Sequence, residues 1–163
     1  MPDKAVLCTE KQSEQKKVIL FSAIMFLSGF IIAGLNYRYR WTELPNIVIT
    51  ISSILFIIAY ILYAEVLREN SYLFRTIEVQ DDQKLVDTGL YGIVRHPMYA
   101  VTILLFLTMP LILGSIISFI IFLFYPIIII KRIKNEEEIL EKELKGYLEY
   151  EKRVRYKIVP FLW

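Results

Sequence analysis

The sequence predicts an all-α integral membrane protein of a single domain, with four transmembrane helices and a cytoplasmic amphipathic helix near the C-terminus. Three observations predict it. Apolar residues make up 56% of the 163 residues. The charged residues, 22% of the chain, gather at the N-terminus, in a central loop and in the C-terminal stretch. Between those clusters lie uncharged runs about as long as a hydrocarbon core is thick. A soluble domain of this size spreads charge over every helix, so segregation of this kind points to a bilayer.

The first uncharged run is Val18 to Tyr37 and the second is Leu44 to Ala64. Each is close to the roughly twenty residues a helix needs to span a membrane. Arg38, Arg40, Trp41 and Glu43 form the turn between them, and Tyr37, Tyr39 and Trp41 suit an interfacial aromatic belt. The first run lacks a convincing small-residue cleavage site, so it reads as a retained helix and not a signal peptide.

The third run extends from His96 to Ile130. As one helix it would measure on the order of 50 Å, well beyond a core of about 30 Å. Pro110 and Gly114 are natural turn residues near its middle. The expectation is therefore two shorter helices, about Tyr99 to Met109 and Ser115 to Ile130, with a kink at Pro126. The segment Arg132 to Arg153 reads as a separate charged helix whose apolar face holds Ile133, Leu140, Leu144 and Tyr147. At 100° per residue, Glu136 and Glu137 flank that face while Glu138 points away.

Four crossings put both termini on one side. Lys11, Lys16 and Lys17, then Arg68, Arg75, Lys84 and Arg95, then Lys131, Arg132 and Lys134 all share that side, which the positive-inside rule makes cytoplasmic. The outer turns carry only Arg38 and Arg40. The chain thus divides into a polar tail (1–17), two N-terminal transmembrane helices (18–67) and a core (68–163). A net charge of +2 without a basic stripe gives no argument for nucleic acid. A lone cysteine, Cys8, cannot make an intramolecular disulfide or a zinc knuckle. No metal site is expected, and oligomeric state is not legible.

The most specific stretch runs from Lys84 to Tyr99. It contains Gly89-Leu90-Tyr91 and then Arg95-His96-Pro97-Met98-Tyr99. A second element is Arg132, Glu136, Glu137 and Leu140, and a third is Gly146-Tyr147, Tyr150, Arg153-Val154-Arg155 and Pro160. In this order, flanking these hydrophobic runs, they resemble the isoprenylcysteine carboxyl methyltransferase family and the related phospholipid methyltransferases, over roughly Asn70 to Trp163. The resemblance implies S-adenosylmethionine as cofactor. It implies cofactor contacts from Leu85, Val86, Gly89, Tyr91, Arg95, His96, Pro97, Met98, Tyr99 and Glu137, and a catalytic pair, Arg132 and Glu136, with Arg132 touching substrate. The chain departs from the family pattern at Val101 and Phe161, where relatives carry glycine.

The residue chemistry supports that cofactor. A sulfonium ligand with an amino-acid head needs carboxylate acceptors, which Glu136 or Glu137 can supply. Tyr91 and Tyr99 offer aromatic faces attractive to a soft cation. Pro97 suits the first helical turn with His96 at the cap, leaving amides near Met98 and Tyr99 to meet a carboxylate. A carboxylate nucleophile needs no general base; an amine would need one, and Glu136 is the candidate. Arg132 could pair with Glu136 or clamp an anionic group. Tyr147 and Tyr150 read as packing residues, Arg153 and Arg155 as headgroup contacts or closure of the C-terminal segment, and Asn70 as a helix cap.

The leading expectation is carboxyl O-methylation of a lipophilic, prenyl- or lipid-like acceptor drawn from the bilayer. Phospholipid N-methylation is the second. A sterol-type reductase is a third, although Ala100, Val101 and Thr102 follow the motif tyrosine where that class has an acidic residue. A non-catalytic membrane scaffold is the last.

Overall fold

The structure is a computed structural model that describes the backbone of residues 4–70 and 85–163, with side chains from Val18 onward within them. Cys8, Lys11, Lys16, Lys17, Arg75 and Lys84, all weighed above, have side chains outside the described residues. Among the described residues every regular element is helical: α1 (Lys4–Tyr39), α2 (Asn46–Glu69), a 3-10 turn (Gly89–Gly92), α3 (Pro97–Ile112), α4 (Ile116–Phe122), α5 (Tyr125–Glu143) and α6 (Tyr147–Arg153). Val18–Tyr39, Asn46–Glu69 and Ile116–Glu143 are long and apolar enough to cross a membrane, and Pro97–Ile112 is a shorter apolar helix.

Two boundaries differ from the sequence expectation. Helix α3 does not stop at Met109 but runs through Pro110 to Ile112. Pro110 sits within the last turn of α3 and deprives the Phe106 carbonyl of a helical N–H partner, yet the helix does not end there; the chain reverses at Gly114, whose φ of 72° suits glycine. The second correction concerns the C-terminal half. Instead of a kinked Ser115–Ile130 helix and a separate charged helix from Arg132 to Arg153, the break falls at Leu123–Phe124. Pro126 then sits in the first turn of α5, where it needs no amide partner. From there α5 continues unbroken into the charged sequence, so Glu136 and Glu137 ride on the extension of the last apolar helix. Gly146, at φ 89°, separates α5 from α6. The polar segment 1–17 is itself helical from Lys4.

Helices α1 and α4 meet through Gly29, which lets the Phe122 ring come close, and Ser118 Oγ donates to the Gly29 carbonyl at 2.8 Å. Phe26, Phe106, Phe122 and Tyr125 pack edge to face beside that contact, with centroids 4.6 to 5.4 Å apart. Helices α2 and α3 share a second apolar cluster of Ala59, Val66, Tyr91 and Val101. Val101, the departure from the family glycine, is buried there.

One end of the bundle is tied by Asn36. Its Nδ2 donates to the Thr42 and Gly114 carbonyls, both at 3.1 Å, and its Oδ1 accepts from the Thr42 amide at 2.9 Å. This buried amide joins the α1–α2 turn to the α3–α4 turn. The other ends of α2, α3 and α5 carry the motif residues.

Candidate functional site

The 3-10 turn is set against the end of α2. Gly89 has φ 53°, and a Cβ there would lie 1.5 Å from Glu69 Oε1. Only glycine lets the chain pass so close to that carboxylate, whose Oε2 accepts the Leu90 amide at 3.1 Å. Asn70 closes α2, its amide donating to Val66 O at 3.1 Å, and its Nδ2 donates to the Tyr91 hydroxyl at 3.1 Å. The Tyr150 hydroxyl donates to the Tyr91 carbonyl at 2.7 Å. Burial pushes the Tyr91 hydroxyl up to about 12, against the Asn70 hydrogen bond and helped by the Glu136 and Glu69 carboxylates. Tyr91 therefore keeps its proton at neutral pH.

Arg95, in a bend, and His96, the residue before α3, pair through their backbone with the C-terminal segment. The Arg95 amide donates to Tyr156 O at 2.9 Å, and that of His96 to Lys157 O at 2.8 Å. Glu137 stands between them, 4% exposed. Its Oε1 accepts from Arg95 Nε at 2.9 Å and lies 2.9 Å from Arg95 Nη2 and 3.2 Å from His96 Nε2. Its Oε2 pairs with the Lys157 ammonium. Arg95 also reaches Glu151 at 3.1 Å and donates to the Val154 carbonyl at 3.1 Å. A buried carboxylate survives here because each oxygen is met by charged donors.

One helical turn further along α3, the Tyr99 hydroxyl donates to Glu136 Oε2 at 2.6 Å and accepts from Arg132 Nε at 3.0 Å. The Arg132 guanidinium also lies over the Tyr99 ring, 5.9 Å from its centroid. Arg132 and Glu136 thus meet through a tyrosine and not directly. Both are half-buried.

The residues singled out from sequence fall into three adjoining groups. Arg95, His96 and Glu137 form one; Tyr99, Arg132 and Glu136 form the second; Gly89 and Tyr91, with Val86 packed beneath, form the third. Met98 bridges the two main apolar clusters, and Pro97 occupies the first turn of α3 with His96 at the cap. Leu85 sits apart, packed under α6 with Leu144, Tyr147, Tyr150 and Val154. One expectation needs correction: the Tyr99 amide is not available to a carboxylate, since it donates to the His96 carbonyl at 3.1 Å. Glu69, Glu151 and Lys157 were not foreseen. Lys157 lies inside the C-terminal Arg-Val-Arg…Pro element, so its place in that element was the available signal.

The groups present are the kinds that an ammonium, a carboxylate and ribose hydroxyls pair with. Carboxylates at Glu136 and Glu137, tyrosine faces, and the guanidinium of Arg132 lie within one helix end. Among the described residues, the buried Tyr147 hydroxyl has no hydrogen-bond partner. Burial raises its pKa, and the Glu137 carboxylate nearby adds to that.

A model of the isoprenylcysteine carboxyl methyltransferase (ICMT) family matches residues 49–142, more than half of the chain. A solved structure described as the eukaryotic intramembrane Ras methyltransferase ICMT shares the fold, with a TM-score of 0.69 at 20% identity, over 86% of this chain and 52% of that one. The Delta(14)-sterol reductase TM7SF2 of Mus musculus is 29% identical over 91 residues, which is 54% of this chain and 22% of the reductase. The chain therefore spans about half the length of the first and about a fifth of the second.

Proposed function

The chain belongs to the isoprenylcysteine carboxyl methyltransferase family, and on that premise we propose that it is an integral membrane enzyme methylating a lipophilic acceptor with S-adenosylmethionine. The observation that carries this reading is the meeting of the α3 start with the charged end of α5: Tyr99 on Arg132 and Glu136, and His96 on Glu137. In the same reading Pro97–Ile112 is a fourth crossing, residues 68–163 form the cofactor-binding core, and both termini and the site lie on the cytoplasmic side.

When bound, S-adenosylmethionine supplies a methyl group already carried on a sulfonium leaving group. Glu136 and Glu137 would answer its amino group and ribose, with Tyr91 and Tyr99 beside it and Gly89 to Tyr91 as the rim. The protein's part is alignment and exclusion of water. Arg132 holds the anionic head of the acceptor, because its Nε is fixed on Tyr99 and its planar fork suits a carboxylate. That arrangement favours carboxyl O-methylation, in which the acceptor arrives ionised and no proton has to be removed. An amine acceptor would need one taken, and Glu136 through Tyr99 would take it.

The test is transfer of labelled methyl, with the protein in nanodiscs, to prenylcysteine analogues and to membrane lipids. The expected result is a base-labile ester on the carboxyl acceptor, abolished in His96→Ala and Arg132→Ala. Equal labelling in all three proteins would overturn the site; label held in a base-stable amine would replace O- by N-methylation. The sterol reductase likeness supplies a second reading, a reduction using a nicotinamide cofactor. Oxidation of NADPH coupled to a sterol olefin would establish that one instead.

A further inference from the structure

Glu137 divides its two oxygens unequally. Oε1 is held by partners that cannot leave. The Arg95 side chain is 4% exposed, it is shared with Glu151, and its Nη1 donates to the Val154 carbonyl at 3.1 Å. His96 is buried, and its backbone is held by the Lys157 carbonyl at 2.8 Å. Oε2 meets Lys157, a partner of another kind. Its side chain is 24% exposed, and it ends in a compact, strongly hydrated charge on a flexible stem. The ammonium also lies 5.6 Å from the centroid of the Trp163 ring, which offers it an aromatic resting place near its present one.

A ligand ammonium group addressing Glu137 finds Oε1 met by Arg95 and His96 and Oε2 occupied by a like charge. Adding a second ammonium beside the first would set two like charges against one carboxylate oxygen. Exchanging one for the other keeps the buried charge balanced. We propose that Lys157 is the resident counter-cation of Glu137, displaced from Oε2 by the amino group of an S-adenosyl ligand, and that it thereby sets the affinity of the site. The inference rests on the methyltransferase reading. Its consequence is that the ligand binds a carboxylate that is free only part of the time, and apparent affinity falls by that fraction.

The experiment is calorimetric titration of the nanodisc protein with S-adenosylhomocysteine and with 5′-methylthioadenosine, which lacks the amino-acid head. In Lys157→Met, S-adenosylhomocysteine is expected to bind roughly tenfold tighter, the equivalent of about 1.4 kcal/mol. Methylthioadenosine should bind as in the wild type, and Lys157→Arg should bind S-adenosylhomocysteine no tighter than wild type. A second readout needs no variant: saturating wild type with S-adenosylhomocysteine should increase acetylation of Lys157 by a water-soluble amine reagent, followed by mass spectrometry. Unchanged or weaker S-adenosylhomocysteine binding in Lys157→Met, or protection of Lys157 on binding, overturns the exchange alone. Failure of S-adenosylhomocysteine to bind wild type overturns the cofactor reading and the exchange with it.

Discussion

Replacing Glu137 by glutamine keeps the side-chain shape and removes one charge, so no cavity confuses the outcome. The loss falls on Arg95, His96 and Lys157, all of which face that carboxylate. Breaking a buried ion pair from one side costs about 3–5 kcal/mol. Two features place this case at the lower end. Arg95 keeps Glu151 at 3.1 Å and the Val154 carbonyl at 3.1 Å, and the Lys157 side chain, 24% exposed, can rehydrate. A loss of about 3 kcal/mol, at about 2–4 °C per kcal/mol for a chain of this size, lowers the melting temperature by about 6–12 °C. The assay is thermal unfolding in nanodiscs followed by near-UV circular dichroism. Glu141→Gln, on the exposed side of the same helix, serves as control and should stay within about 0.5 kcal/mol of wild type. If Glu137→Gln melted with the control, the carboxylate would not be the organising charge of this helix end.

Tyr99→Phe removes the hydroxyl that Glu136 and Arg132 share, and kcat for methyl transfer should fall about tenfold, near 1.4 kcal/mol of barrier, with little change in cofactor affinity. Steady-state kinetics with both substrates varied checks this; an effect on cofactor KM alone would contradict it. Gly89→Ala imposes a left-handed φ on a residue with a Cβ and drives Glu69 off the Leu90 amide, so a stability loss of about 1–2 kcal/mol is expected in thermal unfolding. Gly29→Ala would put a Cβ 2.3 Å from Phe122 Cε2, an overpacking worth about 1–3 kcal/mol. Adding Phe122→Leu should return part of that loss, and a double-mutant cycle showing simple additivity would refute the contact.

Much of the fold could be read from where charge stops. The run from Val18 gave α1's apolar part to within two residues, because an uncharged stretch of that length has one use in a bilayer. The same signal misled at Lys131. Hydropathy changes there, but nothing in Lys131 to Glu143 breaks a helix, and its residues are mostly good helix formers. The change of composition marks where the helix leaves the apolar layer, not where it ends. The interruption at Leu123–Phe124 lies within one turn before Pro126, where that ring and its missing N–H act, so the expected disturbance is present while a new helix starts at Tyr125.

Within the site, what depended on local rules was legible. Pro97 in the first turn follows from its fixed φ, and the projection of Glu137 inward and Glu138 outward matches their burial. What depended on long-range pairing was not. Leu90 meets Glu69 across 21 positions and Lys157 meets Glu137 across 20, and no periodicity reports such contacts. The pairing of Glu137 within its own chain belongs to the same class, as does the loss of the Tyr99 amide to the His96 carbonyl.

The most direct measurement is a structure of the protein in nanodiscs with S-adenosylhomocysteine bound. The expected result is the ligand at the junction of α3 and α5, its amino-acid head within hydrogen-bonding reach of Glu137 or Glu136 and its ring system beside Tyr91 and Tyr99. Density for the ligand at any other place, or a bound state in which Tyr99 has parted from the charged end of α5, would contradict the account.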